Sequence, residues 1–287
     1  MEENNSGMLY LVATPVGNLE DISFRAIKTL QEVDLVAAED TRHTLKLLNH
    51  YNIKKPLISY FEHNKRQRGE EITKELLEGK NIALVTDAGT PGISDPGEDL
   101  VKLAVENNIT VTLIPGCTAS IIALVLSGLP CGKFCFEGFL SHEKKLRKKA
   151  LEALHSERRT IIFYVSPHRV LDVLNDIIMI LGNRRAALCR ELTKMHEEII
   201  RGSLSEIVEV LSNKEKIKGE MVLVVEGSEE NVESDNSHLL NLTIQEHMDY
   251  YLGNRLNQKD AMKKVALDRG ISKREVYSYL HNKKETD

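Results

Sequence analysis

Apolar and polar positions change period repeatedly along the first half of the chain. Short continuous apolar runs at Leu9–Ala13, Leu35–Ala38, Pro56–Tyr60, Ile82–Thr86 and Thr110–Ile114 read as strands, with the most apolar buried on both faces. Between them the period lengthens. Phe24, Ile27 and Leu30 recur at helical spacing behind a cap at Asp21 or Ser23, and Leu45, Leu47 and Leu48 belong to a helix opening near Thr41. Gln67–Glu78 reads as a charged amphipathic helix with Ile72, Leu76 and Leu77 inward, and another helix runs through Leu100 and Leu103. Strands alternating with helices in this way predict an α/β domain with a mostly parallel sheet covered on both faces.

Leu129-Pro130-Cys131-Gly132 breaks the alternation. Beyond it, Phe134–Leu140, Thr160–Val165, Arg184–Arg190, Glu197–Arg201 and Glu220–Glu226 read as strands, with helices only at Glu143–Leu154 and Val170–Leu181. More strands and fewer crossovers predict a second α/β domain with a mixed sheet. The acidic, polar stretch Glu229–Ser237 reads as a mobile linker. Three short helices follow it, the last opening on Ser272-Lys273-Arg274-Glu275, a capping box. The expected organisation is therefore two α/β domains, residues 8–130 and 131–228, and a C-terminal helical module, residues 238–287. The module carries Lys259, Lys263, Lys264, Arg269, Lys273 and Arg274, and either braces the core or touches RNA.

A chain of 287 residues, 41% hydrophobic and 28% charged, is long enough for two cores. No apolar stretch reaches transmembrane length, and the polar, acidic start lacks the regions of a secretory leader, so a cytoplasmic protein is expected. The four cysteines are too poorly grouped for a metal clip, and no metal is expected. A net charge of −5 argues against unaided coating of nucleic acid, although Lys144–Lys149 and the group Lys65, Arg66 and Arg68 are local basic clusters.

Three loops carry the candidate chemistry: Thr14–Asn18, Asp87–Gly97 and Pro115–Ser120. Each follows a strand run, where an open α/β sheet places its ligand crevice. Glycine lets backbone approach a ligand, and helix starts offer free N–H groups. No G-x-G-x-x-G or G-x-x-x-x-G-K-[ST] pattern is present, and the loops hold Asp87 and Asp95 but no Lys or Arg. That chemistry suits a positively charged ligand with a polar ring better than a polyphosphate.

The segments Ala13–Ile22 (ATPVGNLEDI), Ala38–Arg42 (AEDTR), His63-Asn64, Asp87–Gly97 (DAGTPGISDPG), Pro115–Ala119 (PGCTA), Phe136–Leu140 (FEGFL), Arg190–Lys194 (RELTK), Glu197-Glu198 and Lys218–Gly227 (KGEMVLVVEG) together resemble the tetrapyrrole-methylase superfamily, most of all its branch acting on small-subunit ribosomal RNA. The resemblance runs from about Met8 to Gly227. Ser141 departs from it, standing where the family commonly has Pro.

The resemblance implies two α/β domains clasping S-adenosylmethionine, and methylation of a cytidine ribose 2′-hydroxyl in the decoding region of 16S ribosomal RNA. Pro15, Asp87, Ala88, Gly89, Thr90, Ile93, Thr118 and Ala119 would then face the cofactor from the first domain, and Val165 and Leu192 from the second. Glu39, Asp40, Arg42 and His63 are the candidates for catalysis: the carboxylates and the imidazole as proton acceptors, Arg42 for a phosphate or developing oxyanion. Glu39, Asp40 and Arg42 could equally form an ion-pair turn that caps the following helix. The acidic charge balance suggests that the RNA is presented already folded within the small ribosomal subunit, and the resemblance implies a homodimer. Competing readings are a tetrapyrrole (corrin or porphyrin precursor) methyltransferase and a non-catalytic ribosome-assembly factor.

Overall fold

The computed structural model describes residues 6–228, 237–253 and 256–281. Five parallel strands, β1 (Met8–Val12), β2 (Leu35–Ala38), β3 (Leu57–Ser59), β4 (Ile82–Val85) and β5 (Thr110–Ile114), form one sheet in the order β3-β2-β4-β1-β5. The chain leaves β1 toward β2 and leaves β4 toward β5, so the connections diverge at neighbouring strands. This is the switch point at which such sheets open a crevice.

Strands β1 and β4 sit at the sheet's centre, and their side chains feed two cores. Leu9, Leu11, Ile82 and Leu84 pack on one face with Ile72 and Leu76 of α3 (Lys65–Leu77) and Leu100 of α4 (Gly97–Glu106). Val12 and Val85 pack on the other with Leu30 of α1 (Phe24–Glu32) and Leu48 of α2 (Thr41–His50).

The second sheet runs β6-β7-β10-β8-β9 through β6 (Phe134–Phe139), β7 (Thr160–Val165), β8 (Arg185–Arg190), β9 (Glu198–Ser203) and β10 (Met221–Val225). Only β6 and β7 are parallel; β10 pairs antiparallel with β7 and β8, and β8 with β9. Ile161, Phe163, Leu188 and Leu223 face α6 (Lys144–Ala153), α7 (Val170–Leu181) and α8 (Leu204–Ser212). On the opposite face Ile162, Cys189, Val222 and Val224 meet α5 (Ala119–Ser127) through Ala123 and Leu124. Thus α5, placed before the expected boundary at residue 130, belongs to the core of the second sheet. Helix α8 was not foreseen, although its capping box is complete: the Ser203 hydroxyl accepts from the Glu206 N–H, and the Glu206 carboxylate accepts from the Ser203 N–H.

Residues 6–228 pack as one unit and the remaining described helices as another. The linker expected over 229–237 lies, except for Ser237, outside the described residues. In the second unit α9 (Ser237–Leu240), α10 (Ile244–Gly253), α11 (Gln258–Arg269) and α12 (Lys273–His281) enclose Leu239, Met248, Tyr251, Ala261, Val265 and Val276. His247 is fully buried there, accepting from Arg269 Nε at 3.1 Å, with Asp268 at 3.3 Å from its other ring nitrogen. The expected box at Ser272 and Glu275 is formed. Among the described residues no helix is long and apolar enough to cross a membrane.

Candidate active site

The three loops follow β1, β4 and β5, three adjacent strands, and hydrogen bonds tie them together. Thr14 and Gly89 exchange backbone bonds at 2.9 and 3.1 Å, joining the first loop to the central one. Gly89 sits at φ +90°, where a side chain would be strained. The Thr90 hydroxyl then reaches the Cys117 carbonyl at 3.0 Å and the Thr118 hydroxyl at 2.8 Å, joining the central loop to the third. Within the central loop, Asp95 accepts from the Gly92 N–H at 2.9 Å and the Gly97 N–H at 2.8 Å. The buried Tyr60 hydroxyl donates to the Pro96 carbonyl at 3.1 Å, anchoring the loop's far end.

The second sheet closes the site with the ends of β7 and β10 and with the turn after β8. Glu191 and Thr193 in that turn have positive φ, 52° and 63°, a strained conformation for a β-branched threonine. Lys194 bridges Glu191 and Glu220 at 2.9 Å each, locking the turn against the start of β10. The first loop approaches it so closely that a Cβ on Gly17 would lie 2.7 Å from the Leu192 carbonyl oxygen.

Between these parts lies a cavity of about 410 Å³. Of the residues expected to face a cofactor, Asp87, Ala88, Gly89, Thr90, Ile93, Thr118, Ala119, Val165 and Leu192 line it. Pro15 instead lines a neighbouring cavity of about 200 Å³. Among the catalytic candidates, Glu39 lines the large cavity.

Asp40 caps α2, accepting from the Arg42 N–H at 2.8 Å and pairing with its guanidinium at 2.7 Å. That guanidinium holds the Asp40 carboxyl well below the usual carboxylate range. Neither Asp40 nor Arg42 borders either cavity, and nor does His63, which is exposed beyond β3 beside the Phe61 ring.

Sequence reasoning missed Phe139, Tyr164, Ser166, Pro167, Glu220 and Met221, which also line the large cavity. Phe139 and Tyr164 form one aromatic wall, their ring centres 5.4 Å apart.

The cavity's charge is one-sided. Glu39, Asp87, Asp95 and Glu220 line it, with no Lys, Arg or His among its described lining residues. Glu39 is held by the Thr86 hydroxyl at 2.6 Å, and Asp87 accepts from the Asp40 N–H at 3.2 Å. Burial, then the nearby Glu39 charge, pushes the Asp87 carboxyl above its ordinary value; burial does the same to Asp95. Ser141, the departure from the family pattern, leads away from the rim, its carbonyl gripped by Arg147 at 3.2 Å and Arg169 at 2.8 Å.

Residues 8–208 match the family of tetrapyrrole (corrin/porphyrin) methylases. The chain is 50% identical over 280 residues to "Ribosomal RNA small subunit methyltransferase I" of Halalkalibacterium halodurans, covering 98% of this chain and 96% of that protein. It is 45% identical to the protein of the same name from Escherichia coli O157:H7, covering 96% of each. Among solved structures, uroporphyrin-III C-methyltransferase of Thermus thermophilus complexed with S-adenosylhomocysteine is similar at TM-score 0.54 and 18% identity, covering 76% of this chain and 97% of that one. Diphthine synthase is similar at TM-score 0.61 and 14% identity, covering 77% and 90%. These structural likenesses establish the fold. The chain belongs to the tetrapyrrole methylase family.

Proposed function

We propose that this methylase transfers the methyl group of S-adenosylmethionine to the ribose 2′-hydroxyl of a cytidine in the decoding region of 16S ribosomal RNA, acting on the small ribosomal subunit in the cytoplasm. The observation that carries the reading is the large cavity, which is bordered by Asp87 and Asp95 of the central loop, Glu39 after β2 and Glu220 before β10, with no cationic side chain among its described lining residues. A polyphosphate would be repelled there. A sulfonium cation would offset the burial and the nearby Glu39 charge that together disfavour an ionised Asp87.

The residues present fit that methyl donor. Ala88, Gly89, Thr90 and Ile93 offer backbone groups, Val165, Leu192 and Met221 apolar walls, and Thr118 the start of α5. Bound there, S-adenosylmethionine supplies an already activated methyl group. The chain's task is to bring the acceptor into line, and alignment of this kind can lower a barrier by about 7–11 kcal/mol.

A protonated ribose hydroxyl is a poor nucleophile, so a proton acceptor is needed. Asp87 and Glu39 fit that role because both border the cavity and Asp87 holds a proton more readily than an ordinary carboxylate. Asp40, paired with Arg42, is the weaker base. The names of the relatives at 45–50% identity favour RNA over a tetrapyrrole acceptor. The neighbours named for tetrapyrroles share only the fold, at below 20% identity.

Two measurements test this together. Ribosomal RNA from cells lacking the chain should be short of one ribose methyl by mass spectrometry. The purified chain with S-adenosylmethionine should restore it on isolated small subunits. Methylation of a uroporphyrin-type macrocycle with none on subunits would reverse the reading.

A further inference from the structure

The smaller cavity is not explained by the cofactor. It lies between the first loop and α2 and shares only Thr86 and Asp87 with the large one. Its volume of about 200 Å³ far exceeds the ~10–15 Å³ that admits a water, and is room for a nucleobase-sized group. Pro15, Leu19 and Leu47 give it apolar walls, and His43 and Lys46 add exposed polar groups from one turn of α2. Its lining differs from its neighbour's: Lys46, His43 and one carboxylate here, carboxylates as the charged groups there. A cavity with apolar walls and Lys46 at its edge matches an unstacked base that brings its own phosphate.

On the reading that the chain methylates RNA, we infer that the cavity lined by Pro15, Leu19, His43, Lys46 and Leu47 receives the acceptor nucleotide, with Thr86 and Asp87 as the wall between it and the methyl donor. A base lodged against Leu19 and Leu47 places its ribose at that wall, where Asp87 and Glu39 stand. Lys46 and His43 meet the adjoining phosphates. The large cavity can then remain acidic without repelling RNA, because the polyanion is met from the other side. Pro15 belongs, on this assignment, to the acceptor's side of the wall.

Three readouts on the full-length chain test this: calorimetric titration with S-adenosylmethionine, filter binding of isolated small subunits, and methyl transfer to them. Leu19→Trp fills the slot from a partly exposed position. It should leave cofactor affinity within twofold and lower methyl transfer about 10–100-fold. Lys46→Ala alters an exposed side chain, so folding is spared; it should weaken subunit binding and reduce its salt dependence by about one phosphate contact. Both variants matching wild type in subunit binding and transfer would overturn the assignment. So would loss of cofactor affinity in parallel with activity, since the two cavities would then not be separate sites. A wild-type chain that binds S-adenosylmethionine yet methylates no subunit would instead overturn the rRNA reading, and this assignment with it.

Discussion

The Arg147–Asp176 pair braces the segment that follows β6, and its removal has a calculable effect. Both side chains are 7% exposed. Arg147 donates to one Asp176 oxygen from two nitrogens, at 2.8 and 2.7 Å, and also to the carbonyls of Ser141 and His142. Asp176 lies on the face of α7 that buries Val173, Leu174 and Ile177. Arg147→Met leaves that carboxylate in an apolar core without its cation, which costs about 3–5 kcal/mol. For a unit of this size each kcal/mol moves Tm by about 2–4 °C, so a drop of about 6–20 °C is expected.

The double variant Arg147→Met/Asp176→Leu removes both charges and should recover most of the loss. Scanning calorimetry of the full chain is the assay, since the protein has no Trp to report unfolding by fluorescence. Arg169 still holds the Ser141 carbonyl, so affinity for S-adenosylmethionine at 20 °C should stay within about threefold. A single variant melting within 2 °C of wild type, or a double variant no better than the single, would refute the reasoning.

Other outcomes follow from the site's geometry. Thr90→Val removes the hydroxyl that ties the central loop to the third, and titration should read a cofactor affinity lower by about 5–30-fold, the equivalent of about 1–2 kcal/mol. Gly17→Ala forces a Cβ onto the Leu192 carbonyl, and should lower stability by about 1–3 kcal/mol in denaturant titrations while weakening cofactor binding. Because burial and Glu39 raise the Asp87 pKa, the folded protein holds that proton more tightly than the unfolded chain does. Its contribution to stability is therefore lost as pH rises from the ordinary carboxylate range through the raised value. Asp87→Asn should accordingly melt higher than wild type near neutral pH, lose that advantage by about pH 4, and bind S-adenosylmethionine more weakly.

The parts of this fold written in local pattern were legible before any coordinates. Ile82–Val85 is apolar at every position because β4 is buried on both faces, and no amphipathic alternative competes with it. The loops could be placed at strand ends for the same reason. Helix α8 could have been found from Ser203 and Glu206, three apart ahead of an apolar run, but the strand before it masked the change of period.

The allegiance of α5 was not readable. Ala119–Ser127 is apolar around most of its circumference, so the pattern says that it is covered but not by which sheet. Phe139, Tyr164 and Glu220 were missed for a related reason. They stand at strand ends where a core residue and a cavity wall look alike until β6, β7 and β10 are paired. Pro15 and His63 show the opposite limit: short motifs drew attention to both, yet the backbone turns one to the adjoining hollow and leaves the other on the surface.

The position of α5 also bears on how the protein is made. A ribosome that has released the first sheet has also released this greasy helix, whose covering strand β10 is among the last pieces of the unit to emerge. Until Val222 and Val224 join Ile162 and Cys189, the cover over Ala123 and Leu124 is incomplete. Severing the chain near residue 130 should therefore yield two sticky fragments rather than two working halves, and co-expressing those fragments is the natural route to rescue.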